Sequence, residues 1–254
     1  MKKNLTRIKS FISSLIFFVF TLTFVFGVVY SVKYIGSNMK SEKMPINKVE
    51  TKENKVSLTF DIAGGTSNIY DVLDVLDKYE VKASFFLVGN WVDNNEELVK
   101  EISKRGHDIG NHSNTHANMK ELSEKDLINE LNITSDKIEA ITGEKTTMYR
   151  PPFGEFDKDS LEVCEELGYK SINWDVDSLD WKEVGVNHVV DNVLKNTKSG
   201  TIVLFHGDVN YNEQYLDMII KKLKEEYTLV PLSDLIYNES YEIDSKGTQR
   251  LIGK

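Results

Sequence analysis

The chain has 254 residues, 40% of them hydrophobic, and a formal net charge of −9, enough for one large domain or two small ones. The first forty residues carry +6 and no acid, so the remainder carries −15, which excludes nucleic acid and anionic lipid headgroups as partners of the main body. The one cysteine, Cys164, excludes an internal disulfide framework and a cysteine-rich zinc site.

In chain order, residues 1–10 form a basic segment and residues 11–30, "FISSLIFFVFTLTFVFGVVY", carry no charge. About twenty apolar residues suffice to cross a bilayer as a helix. The basic flank stays in the cytoplasm, so the chain after Tyr30 is expected outside. No small-residue cleavage site follows, which favours a retained single-pass anchor in the cell membrane over a cleaved signal peptide. Residues 31–54 are polar and lysine-rich and read as a linker.

From Lys55 the pattern becomes regular. "KVSLTFD" alternates and predicts a strand. Ser67 is placed to cap a helix whose apolar stripe is Ile69, Val72, Leu73 and Leu76. "KASFFLVG" is a second strand, and Asn94 with Glu97 resembles a capping box opening a helix. "HDIGNHS" is a short strand or loop. Ser123 starts a helix that Gly143 ends. "TTMYRPPFG" is a strand broken by two prolines. Leu161, Cys164 and Leu167 mark a helical stripe closed by Gly168. "SINWDVDS" is a strand, Val189 to Leu194 a helix, and "TIVLFH" a buried strand. Leu216 to Leu223 mark the last long helix, and "TLVPL" a final strand. The alternation predicts one α/β domain over residues 55–238, a distorted (β/α) barrel of about seven strand–helix units, followed by a loose tail over 239–254.

Asp61, His112, Arg150, Asp177 and His206 each end a different predicted strand. In parallel barrels such positions converge at one mouth. Taken singly, each has two readings. His112 and His116 in "HSNTH" are either an imidazole pair for a metal or a solvated polar turn. Asp61 is a base or a helix cap. Arg150, ahead of a diproline, is a fixed cation for a carboxylate or a surface charge. His206 is a general acid oriented by a carboxylate or a satisfied core histidine.

Together and in this order, "TFD", "HSNTH", "RPPFG", "DSLDW" and "LFH" resemble the five motifs of the polysaccharide deacetylase family, also called the NodB-homology family or carbohydrate esterase family 4. The resemblance covers roughly Val56 to Leu235. "LTFDI" and "FFLVGNW" look most like its membrane-anchored sporulation-type branch. The resemblance implies hydrolysis of N-acetyl groups from an N-acetylated cell-wall polysaccharide with a divalent metal, zinc first, cobalt or manganese next, and the protein is expected to be a monomer. It implies Asp61 as general base, His112 and His116 as metal ligands, and Arg150 as the group that tunes the base. The Phe153 N–H would stabilise the oxyanion, Trp181 and Leu204 would line the acetyl pocket, and His206, held by Asp177, would be the general acid. One position departs from the pattern. The family usually has Thr-Phe-Asp-Asp in the first motif, the second Asp being a metal ligand, and here that position is Ile62. The metal either binds with Asp61 or water filling the gap, or finds a substitute such as Asp208, or binds too weakly, leaving a glycan-binding relic. An O-acetyl esterase would share the same motifs.

Overall fold

The structure, a computed structural model, describes residues 43–65, 68–207, 209–210 and 212–253, together with Thr21, Thr23, Val25 and Phe26, which are helical. The rest of the expected anchor at residues 11–30, the Ser67 cap and Asp208 lie outside the described residues. Among the described residues no helix is long and apolar enough to cross a membrane. Residues 43–254 form one compact unit, separate from residues 1–42.

Strand β1 is Lys48–Val49, β2 Lys55–Ile62, β3 Ser84–Leu87, β4 Asp108–Asn111, β5 Met148–Tyr149, β6 Lys170–Ser171, β7 Val176–Asp177 and β8 Ile202–His206. The strands β2 to β8 make one parallel sheet in the order β6-β5-β4-β3-β2-β8-β7, with the short β9, Thr228–Leu229, beside the start of β2. The helices between them are α1 Ile69–Lys78, α2 Gly89–Val92, α3 Glu96–Lys104, α4 Glu124–Thr142, α5 Lys158–Glu166, α6 Val186–Asn196, α7 Asn212–Leu223 and α8 Leu232–Leu235. The expected parallel α/β architecture is therefore present as a curled half-barrel. It does not close: β6 and β7 are not paired with each other. The predicted strand "SINWDVDS" divides into two short pieces, and Ile172, between them, bridges to Ile46.

Alternation along β2 sorts the layers. Val56, Leu58, Phe60 and Ile62 lie in the cluster that includes the apolar faces of α1, α3, α6 and α7. Phe60 stacks between Phe85 and Phe205, at 5.0 and 5.4 Å between ring centroids. The intervening Ser57, Thr59 and Asp61 are buried on the other face. A second apolar cluster, built on Phe86, Met148, Ile172 and Ile202, includes α8 and the N-terminal Ile46 and Val49.

Two expected boundaries are corrected. The compact unit begins at Lys43, inside the expected linker, because Ile46 and Val49 are apolar and buried, each 1% exposed. The expected loose tail is a hairpin, β10 Tyr241–Ile243 and β11 Thr248–Leu251, and β11 pairs parallel with β1. The Asp244 carboxylate accepts the N–H groups of Lys246 and Thr248 and fixes its turn. The buried Gln249 side chain brackets Tyr237, accepting its N–H at 2.9 Å and donating to its carbonyl at 2.8 Å. Polar composition concealed this closure.

Candidate active site

Asp61 is the penultimate residue of β2, 6% exposed, and lies opposite His206 in the register with β8. Its Oδ1 accepts from Arg150 Nη1 at 2.8 Å. Arg150 follows β5 and is fully buried; Nη2 donates to the Asn173 carbonyl at 3.0 Å. Its guanidinium carbon lies 4.2 Å from the Phe86 ring centroid and 5.5 Å from that of Trp174. Pro151 and Pro152 end the strand here and stiffen the turn after it. Burial, the strongest single influence on Asp61, opposes its charge. Arg150, with His112 and His206, outweighs it and holds the carboxyl below the usual carboxylate range.

His112 follows β4. Its Nδ1 lies 2.8 Å from the Arg150 carbonyl, so Nδ1 carries the proton and donates. Nε2 then faces Asp61 Oδ2 at 3.5 Å with a lone pair. Burial pushes the imidazole down to about 4, so it is neutral at pH 7. Two acceptors facing each other across this gap make a place for a positive ion. His116 is on the same side: its ring centroid is 4.9 Å from that of His112 and 4.7 Å from that of Phe153. The turn that brings it there is tight, with Ser113 and His116 both at left-handed φ, +64° and +60°. Helix α4 grips it. The Glu130 carboxylate accepts the N–H groups of Asn114 and Thr115 and the Thr115 hydroxyl, and Lys137 Nζ donates to Asn114 Oδ1 at 2.8 Å.

The two imidazoles are one protein ligand short of the metal pattern that the motif resemblance implies. Among the described residues no three His, Cys, Asp or Glu side chains group as a metal site. Ile62 explains the gap. It is still in β2, pairs with Leu87, is 0% exposed and packs on the helical side of the sheet, opposite to Asp61. His112 and His116, with Asp61 or water, are the groups that would hold a divalent ion here.

His206 ends β8. Its Nδ1 lies 2.8 Å from Asp180 Oδ1, and its backbone N–H donates to Asp180 Oδ2 at 2.9 Å. The expected partner, Asp177, is a correction: its Oδ1 accepts the Leu179 N–H at 2.8 Å and serves the local turn. Both acids belong to "DSLDW", and spacing alone could not choose between them. Asp180 wins because the left-handed Leu179, at φ +62°, turns the chain back toward β8. Burial works hardest against a charge on His206, but the hydrogen bond and charge of Asp180, with Asp61 and Asp177 behind it, raise the imidazole above its ordinary value.

Phe153, at φ +61°, presents an exposed ring above His116. Trp181 is half exposed, with its backbone N–H donated to Asp180 Oδ1. Leu204 is buried two residues before His206 and so shares its face of β8. The sequence reading missed Asp180, the Asn173 carbonyl under Arg150 and Glu130. Only Asp180 had a signal, its place directly before Trp181.

A carboxylate and a histidine on adjacent strand ends, each with its own buried partner, beside an imidazole pair, define a hydrolase-type site at the mouth of a parallel α/β half-barrel. Comparison with known proteins gives the family. The polysaccharide deacetylase family profile matches residues 48–172. The peptidoglycan-N-acetylmuramic acid deacetylase PdaA of Bacillus subtilis is 35% identical over 77% of this chain and 76% of its own length. The peptidoglycan-N-acetylglucosamine deacetylase PgdA of Listeria monocytogenes is 35% identical over 83% of this chain, but only 44% of that longer protein is covered. Among solved structures, BA3943 of Bacillus anthracis, described as a carbohydrate esterase family 4 pseudoenzyme, superposes with a TM-score of 0.73 at 34% identity, covering 76% of this chain and 68% of that one. A mutant of BA3943 described as having restored enzymatic activity superposes equally well. The chain belongs to the polysaccharide deacetylase family.

Proposed function

We propose that the protein is a polysaccharide N-deacetylase acting on N-acetylated cell-wall glycan, with peptidoglycan as its substrate. The observation that carries this is the pairing of two oppositely tuned groups: Asp61, whose carboxyl Arg150 helps hold below the usual carboxylate range, and His206, whose imidazole Asp180 raises above its ordinary value. Asp61 takes the proton of the attacking water. His206 gives its proton to the departing amine, and the Phe153 N–H faces the developing oxyanion. Trp181 and Leu204 enclose the acetyl methyl. A divalent ion on His112 and His116, zinc before cobalt or manganese, would polarise the acetamide oxygen and acidify the water. That help matters, because a carboxylate held as low as Asp61 is a weak base toward ordinary water. The uncharged segment at residues 11–30 supports an anchor in the membrane with this domain outside the cytoplasm.

The test is acetate release from peptidoglycan and chitin oligomers with zinc, cobalt or manganese added, against acetylxylan as the ester control. Release from the amide substrates is the expected result; release from acetylxylan alone would assign an O-acetyl esterase. The placement of Ile62 in the core, together with the likeness to BA3943, favours one second reading, a glycan-binding protein of low activity. Glycan binding with no acetate release under any metal would select it.

A further inference from the structure

Asn173, two residues beyond β6, is buried and meets three separate segments. Its backbone N–H donates to the Ile46 carbonyl at 2.8 Å. Its carbonyl accepts Arg150 Nη2 at 3.0 Å. Its side-chain Nδ2 donates to the Gly154 carbonyl at 3.2 Å; the reverse orientation of the amide would set two acceptors against each other. Gly154 closes the turn that holds Phe153, and both residues are left-handed, at φ +68° and +61°. A non-glycine residue keeps such a backbone only where its surroundings over-determine it. The turn's own bonds are short-range, Gly154 N–H to the Pro151 carbonyl at 3.0 Å and Glu155 N–H to the Pro152 carbonyl at 3.1 Å. The Phe153 ring is exposed and does not anchor the turn in the core. The ties of the Glu155 carboxylate to Asn118 and Lys120 are exposed too, and hold little. The firm contacts lie beneath. The Trp174 ring is so close to Gly154 that an added Cβ would come within 2.7 Å of it, and the same ring lies 5.5 Å from the Arg150 guanidinium carbon.

We propose that Asn173 is a positioning residue for the oxyanion donor: its side-chain amide, with Trp174 as the wall behind, holds the turn 152–154 so that the Phe153 N–H meets the developing charge. The inference rests on the reading of that N–H as the oxyanion donor of an amide hydrolase. A backbone donor stabilises an oxyanion only from a fixed place, about 3 Å from where the charge will sit. The Asn173 carbonyl also seats Arg150, and Arg150 faces Asp61. One residue thus refers the oxyanion donor and the partner of the base to a common point. A relative displacement of about 1 Å between such groups costs on the order of 10²-fold in rate. The same contact explains the glycine at 154, where any side chain would press on Trp174. No sequence motif marks Asn173, which lies between "RPPFG" and "DSLDW" and belongs to neither.

The experiment labels the full chain with carbonyl-¹³C proline and ¹⁵N phenylalanine. Pro152–Phe153 is the one Pro-Phe pair in the sequence, so a single doubly labelled amide appears in the NMR spectrum, the Phe153 N–H itself. Asn173→Ala removes the side-chain donor and keeps the backbone carbonyl under Arg150. The Phe153 signal is expected to move, and its order parameter to fall from about 0.85 toward about 0.6. In the same variant kcat is expected to drop by about tenfold with KM unchanged, the mark of an interaction made only in the transition state. An unmoved signal with an unchanged order parameter in folded Asn173→Ala overturns the proposal, and so does a loosened turn with wild-type kcat. Should that variant not fold, Asn173→Leu fills the same space without a donor, and the same two readings decide. If the wild type releases no acetate from any substrate, the deacetylase reading falls and the signal alone decides the tie: a loosened turn upholds the hold of Asn173 on Phe153, and an unchanged one overturns it.

Discussion

Arg150 is a large side chain with no solvent exposure, and its charge is tolerable only because Asp61 meets it at 2.8 Å and two aromatic faces lie beside it. The pair is costly to break from either side. Asp61→Asn keeps the shape and one acceptor but cannot take a proton. It is expected to lower acetate release by about 10²–10⁴-fold while circular dichroism stays native. Wild-type turnover in that variant would remove Asp61 from the role of base. Ile62, the next residue, answers to the other layer. Gly207 lies against it so closely that an added Cβ would come within 2.0 Å of its terminal methyl. Ile62→Asp replaces that packing with a buried carboxylate and is expected to destabilise the fold by roughly 3 kcal/mol or more when a chelator is present. Denaturant melts with EDTA and with zinc measure this. A melt unchanged from wild type in EDTA would show that position 62 is not part of the core.

At the scale of elements, helix α4 fixes the histidine turn. It begins where Ser123 accepts the Asp126 N–H and ends at the left-handed Gly143, as the sequence predicted. Its face toward the turn carries Glu130 and Lys137 one above the other, seven residues apart. Glu130→Ala removes the acceptor for two backbone N–H groups. Amide exchange at Asn114 and Thr115 is expected to quicken by at least tenfold, with exchange in β2 unchanged; equal rates in both proteins would show that the turn holds itself. These elements also show what was readable. The strand ends that carry Asp61, His112, Arg150 and His206 were legible because alternation in "KVSLTFD" and the apolar run "TIVLFH" each stop at a polar residue. The partner of His206 was not, because Asp177 and Asp180 differ only in a left-handed turn at Leu179, a choice made by tertiary contact. Nor was Glu130, whose partners are backbone atoms of another element. The strands β5, β6 and β7 are two residues each, too short to carry a period.

For the unit as a whole, His107 supplies a dependence on pH away from the site. It is buried, its Nδ1 accepts the Ala83 N–H at 3.2 Å, and burial pushes it from 6.5 down to about 4. The unfolded chain binds this proton more readily than the folded one. Stability from this group is therefore complete above pH 6.5 and is lost as the pH falls toward 4, by on the order of 3 kcal/mol. His107→Asn, which keeps an acceptor for Ala83 but does not titrate, is expected to flatten that part of the stability curve. An equally steep decline in the variant would place the acid sensitivity elsewhere. Removal of residues 240–254 tests the closure by β11. Ile46 and Val49 would lose cover, costing roughly 3 kcal/mol and visible as a lower melting temperature. No change in melting would mean that the hairpin adds nothing to stability.

The parallel pairing of β1 with β11 has a mechanical consequence. The chain enters at the start of β1 and leaves at the end of β11, and their register sets Lys48 against Thr248 and Val49 against Gln249. Tension applied between the two ends of the unit therefore pulls these strands past one another in shear, and does not peel them apart one bond at a time. The hydrogen bonds from Asn47 to Gly247 and from Glu50 to Gln249 take that load together. Force arriving along the chain is met at this clasp, which must yield before β2, and with it Asp61, is drawn out of line.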